Sequence, residues 1–109
     1  MTDSPTTPTA PTAPTLRIFG FCWFHRATYA RDRGLMTDPE VLFETFDQWL
    51  KSARQIEREI SARGDKVVRI GFDPTEFLLF CATRGLKPDE QSRAAWAAQE
   101  VRKKYTETR

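Results

Sequence analysis

The run FGFCWFHR, residues 19–26, holds a cysteine, a histidine and four aromatic rings. Cys22 and His25 stand in C-x-x-H spacing, and Cys81 offers a third ligand further along. A structural zinc site takes four ligands, usually as two close pairs. This chain has one pair, one further Cys and no second His. A Cys22–Cys81 redox couple would need the two Cα atoms within about 7 Å, which spacing does not fix. A Cys22–His25 nucleophile and base would need hydrogen-bond reach and a third group to orient the base. Residues three apart on a strand point to opposite faces, an objection that softens if His25 already belongs to the next helix. A free Cys among rings behaves as a small hydrophobe. Packing is therefore the favoured reading of the run, and no catalytic residue, metal or cofactor is expected. The chain has no phosphate loop, no G-x-G-x-x-G and no H-E-x-x-H.

The elements that hold this run can be read from periodicity. LRIFGFCWF is apolar on both alternating faces, as in a covered strand. HRATYARDRG reads as a short helix closed by Gly34 at the position that follows a helix. Thr37, Pro39 and Glu40 form the pattern of a capping box. Leu42, Phe46, Trp49, Ala53, Ile56 and Ile60 then mark one helical face up to Gly64. Acids crowd the first half of that helix and bases the second, which suits the helix dipole without a partner. KVVRIGF is a second strand. Asp73, Pro74 and Glu76 start a third helix, apolar nearly all round from Phe77 to Ala82 and so expected to be deeply buried, which ends at Gly85. A last helix follows Pro88, with Ala94, Ala98, Val101 and Tyr105 as its core face.

This order predicts a helix-dominated α/β domain: strand, helix, long helix, strand, helix, helix, around a small two-stranded sheet. Side by side, the strands would be parallel and joined by a right-handed crossover. An α+β arrangement with an antiparallel pair is the alternative. Residues 16–109 are read as one domain. Residues 1–15 hold no Val, Ile, Leu or aromatic residue and are read as a disordered Thr/Pro-rich tail. Its Pro5, Pro8, Pro11 and Pro14 fall every third residue, the period of polyproline II.

Several fragments carry a resemblance: FCWF with nearby Tyr29, then TFDQWL, then FLLFCATRGL leading into SRAAWA. Together they resemble short uncharacterised bacterial proteins, some from mobile or phage-related regions, over residues 21 to about 98. The resemblance implies a bacterial origin but no activity, and no functional residue follows from it.

Charge narrows the function classes. The net charge is +2, too weak for non-specific coating of DNA, which needs a concentrated basic face. No apolar run approaches the ~18 residues of a membrane span, the N-terminus lacks the pattern of a secretory signal, and two Cys fit a reducing compartment. A cytoplasmic location and no membrane partner are expected. The leading reading is a small non-enzymatic interaction or accessory protein with a protein partner or a second copy. Its expected contact patch is Trp96 with Arg93 and Lys103, since Trp96 lies opposite Ala94 on a helix. The competing reading of Trp96 is that it fills a groove beneath the small residues of AAWAA. The alternative function is nucleic-acid binding through Arg26, Arg31, Arg33, Arg102 and Lys104. FLLFCATRGL followed by SRAAWA has the outline of a helix-turn-helix, but Pro88, Asp89 and Glu90 place negative charge at the groove-entering end, and an ordinary helical hairpin is the favoured reading. Redox sensing through Cys22 and Cys81 comes third.

Overall fold

The structure is a computed structural model and describes residues 16–107. The Thr/Pro-rich tail, residues 1–15, lies outside the described residues. The elements are β1 (Ile18–Trp23), a 3-10 turn (Arg26–Thr28) leading into α1 (Tyr29–Gly34), a second 3-10 turn (Pro39–Val41), α2 (Phe46–Ala62), β2 (Lys66–Gly71), α3 (Pro74–Arg84) and α4 (Glu90–Glu107). The strands pair in parallel, from Ile18 opposite Lys66 to Trp23 opposite Gly71, so the antiparallel alternative does not hold.

Two helices sandwich this ribbon. Partnered residues in a sheet share a face, which puts Gly20, Cys22, Val68 and Ile70 on one side. There α4 comes so close that a Cβ on Gly20 would overlap the Ala97 carbonyl and lie 2.6 Å from Val101 Cγ2. The other side carries Phe21, Trp23, Val67 and Arg69 and faces α2. Trp23 packs edge-on against Trp49 at 5.0 Å, and the Arg69 guanidinium lies 3.8 Å from the Trp23 ring centroid while bonding both oxygens of Glu57 at 2.7 and 2.8 Å. Trp49 also meets the rings of Phe24, Tyr29 and Phe46. Phe72, Phe77 and Trp96 form a second aromatic group, and the Phe24–Phe72 contact joins the two.

Several helix limits and faces differ from those the sequence suggests. The long helix begins at Phe46, not near Pro39, and its capping box is Thr45 with Gln48. The TDPE stretch opens only the 3-10 turn Pro39–Val41, because the polar groups of Thr37 and Asp38 are committed elsewhere. Thr37 N–H donates to the Pro88 carbonyl at 2.9 Å, and the Asp38 carboxylate accepts the Glu90 N–H at 2.9 Å. Asp38 thus caps α4 instead of its own segment. Leu42 is buried from the loop, and Ile56 is exposed. Gly34 falls inside α1, whereas Gly64 and Gly85 do adopt the positive φ that ends a helix. Asp73 caps α3 through the Glu76 N–H at 3.1 Å. Yet α3 buries only one side: Phe77, Phe80 and Cys81 turn inward while Leu78 and Leu79 face out.

The inward face of α4 is Ser92, Arg93, Trp96, Ala97 and Val101, with Ala94 and Tyr105 exposed. The expected alanine face gives way for an energetic reason. Burying a Trp removes about 150–250 Å² from water, worth several kcal/mol at about 25 cal/mol per Å². Alanines offer far less, so the tryptophan sets the rotation of the helix.

Candidate functional site: a groove along the open edge of the sheet

A two-stranded sheet has two edges, and the bonding pattern identifies which groups face outward. Lys66 N–H donates to Arg17 O and Phe72 N–H to Trp23 O, both at 2.8 Å. Along a strand, successive residues direct their N–H and C=O to opposite sides. The odd-numbered residues of β1 therefore address β2. Ile18, Gly20 and Cys22 direct N–H and C=O away from it, and among the described residues no strand pairs with that edge.

Beside this edge runs a groove of about 310 Å³. Its floor is Gly20, Phe21 and Cys22; α2 supplies Trp49, Ala53 and Ile56 on one side, and α4 supplies Arg93 and Ala94 on the other. The segment Val41–Phe43 and Phe24 also line it. That segment is held from two directions. The Tyr29 hydroxyl donates to the Phe43 carbonyl at 2.5 Å, and Arg33 Nε donates to the Leu42 carbonyl at 3.3 Å. The rim is apolar and wet: Val41 is 48 % exposed, Phe43 45 % and Ile56 41 %.

The polar side chains that line the groove are Cys22, Ser52, Glu90 and Arg93. Arg93 is 6 % exposed and reaches Asp38 Oδ1 at 3.4 Å. Cys22 lines the groove, and burial pushes its thiol up to about 12, against a smaller downward pull from Arg93 and an upward push from Asp32. At neutral pH it is a protonated thiol and not the thiolate that attacks or binds metal. His25 is exposed and lies beside Gly71. Cys81 is a buried free thiol like Cys22, pushed up mainly by burial. Among the described residues no three His, Cys, Asp or Glu side chains are grouped to hold a metal ion. Asp32 is fully buried; Arg31 holds its Oδ1 at 2.9–3.0 Å, and its Oδ2 has no partner.

The patch expected at Arg93, Trp96 and Lys103 is not a surface. Trp96 is 2 % exposed and belongs to the aromatic core, as the groove-filling reading has it. Arg93 turns inward with it, and only Lys103 stays outside, bonded to Glu100 at 3.2 Å. The arginines considered for nucleic acid are largely occupied. Arg26 pairs with Asp47 at 2.8 Å and lies over the Phe46 ring; Arg31 and Arg33 are held as described above. Arg102 and Lys104 are exposed on α4.

The edge groove itself was missed in the sequence. Its signal was the pairing of an unprotected apolar strand with a count of two strands, which leaves one edge of β1 uncovered.

Fold and site together define a small, helix-dominated α/β domain with a two-stranded parallel sheet, whose unpaired β1 edge runs beside a groove. No helix among the described residues is long and apolar enough to cross a membrane. The chain belongs to a family described as a domain of unknown function (DUF8829), matched over residues 27–108; β1 lies just before the matched stretch. No curated protein matches the chain, and no solved structure matches it.

Proposed function

We propose that the chain is a small non-enzymatic interaction protein that receives a protein partner at the open edge of β1. The observation that carries this reading is the coincidence of unpaired strand backbone with an apolar groove. Buried or covered backbone N–H and C=O groups need partners, and an exposed strand edge beside apolar surface is a template for another chain. The chemistry around the groove supports binding over catalysis. Its thiol is protonated, its arginine is tied to Asp38, and its one neighbouring histidine lies outside it. The reading takes the protein to be bacterial and to work in the cytoplasm, where both cysteines stay reduced.

The test is affinity capture from the native host with three full-length baits: the natural chain, Ile56→Glu on the groove rim, and Leu79→Glu on the outer face of α3. Both positions are exposed, so both variants should fold, as circular dichroism would verify. Partners held by the natural chain should be lost from Ile56→Glu and kept by Leu79→Glu. Equal capture by all three baits would move the interface away from the groove. No specific capture by any bait would remove the interaction reading.

A further inference from the structure

We infer that the occupant of the groove is an extended peptide segment of another protein, added to β1 as a third strand, and not a second copy of this chain. This rests on the interaction reading above and specifies its partner. The first argument is the backbone. Ile18, Gly20 and Cys22 offer three donors and three acceptors along one line, and only an extended chain presents complementary groups at that spacing. β1 itself carries no charge, proline or bulge of the kind that keeps edges from pairing. β2, the opposite edge, carries Lys66 and Arg69.

Two occupants from this chain itself fit poorly. The tail before β1 has proline at 5, 8, 11 and 14. In an extended segment, prolines three apart fall on alternate sides. Every register of more than a few residues would then aim a proline nitrogen, which has no hydrogen, at the edge of β1. The tail also brings no large apolar side chain to the groove. A second copy meets a steric conflict. Paired strands lie about 4.8 Å apart, whereas packed helices need about 8–10 Å. Because α4 sits directly over Gly20 of β1, edge-to-edge pairing of two copies would force two α4 helices into the spacing of two strands. A peptide without a helical layer of its own avoids that conflict.

The walls specify the peptide's pattern. Side chains pointing toward α4 meet the close-lying helix at Ala94, and side chains pointing toward α2 meet Ile56 and the ring of Phe21. The favoured sequence alternates small and bulky apolar residues and has no proline where its N–H must bond.

A phage-displayed library of random peptides, panned against the full-length chain, supplies the probe. Selected peptides should show that alternation. Either Ile56→Glu or Ala94→Glu should weaken them at least about tenfold, and Leu79→Glu should leave them unchanged. On binding, the amides of Gly20 and Cys22 should exchange with solvent at least about tenfold more slowly by NMR. Three results would overturn the inference. One is that no peptide is selected, or that those selected ignore both groove variants. Another is that the Gly20 and Cys22 amides are already protected in the free monomer. The third is that their protection rises with protein concentration alongside a doubling of mass in ultracentrifugation. That last result would make a second copy the occupant and leave the interaction reading standing.

Discussion

Trp49 and Cys22 show what single side chains do here. Trp49 is the hub of the first aromatic group, in ring contact with Trp23, Phe24, Tyr29 and Phe46. Trp49→Ala is expected to cost about 3–5 kcal/mol, a large part of a small domain's stability. Urea unfolding of the variant against the natural chain measures it. Cys22 makes stability depend on alkaline pH. The folded state holds the thiol proton up to about pH 12, whereas the ordinary value is 9.0. Above about pH 9 the unfolded chain binds fewer protons than the folded one, so stability falls as pH rises. The loss approaches about 1.4 kcal/mol per pH unit for one group. Tyr29 and Cys81, both raised mainly by burial, act in the same direction. Melting curves from about pH 8 to about pH 11 should show the decline, and Cys22→Ala should flatten it.

At the scale of elements, two contacts fix the positions of helices. The Thr45 hydroxyl accepts the Gln48 N–H at 3.2 Å and so starts α2. Thr45→Ala should cost about 1 kcal/mol, while Thr37→Ala, the cap suggested by the TDPE pattern, should stay within about 0.5 kcal/mol. The pair of substitutions measures where the helix begins. Gly20 sets the distance between α4 and β1. Gly20→Ala places a methyl against backbone of α4, which cannot rotate away as a side chain would. The expected cost is about 3 kcal/mol, read by thermal or urea unfolding, with the Trp96 fluorescence shifting as α4 is displaced.

The whole molecule is a thin ribbon of sheet made stable by what covers it, since two strands alone are marginal in water. Both faces of the ribbon are roofed by helices, but the β1 edge is not. The tail adds nothing to this arrangement by composition. Deleting residues 2–14 should change stability by less than about 0.5 kcal/mol and leave the melting temperature unmoved; a clear drop would mean that the tail docks on the domain.

The element order, the two strands, the Asp73 cap and the stops at Gly64 and Gly85 were legible in the sequence because local rules govern them: alternation, capping side chains and the freedom of glycine at positive φ. Trp49 as core was legible for the same reason, from its place in a helical stripe. The start of α2 was not, because Asp38 and Thr37 are captured by groups about fifty residues away at the head of α4, and no local pattern records such a partner. The rotation of α4 was misread because spacing weighs Ala94 and Trp96 alike, whereas burial weighs them by area. The sequence signals an uncovered strand edge but not the groove beside it. The groove exists because α4 approaches Gly20 on one face, α2 packs on rings from the other, and the sheet stops at two strands, so that backbone groups already present in LRIFGFCWF are left facing outward. Sequence determined which residues can form the strand; tertiary packing decided which of its edges stays open.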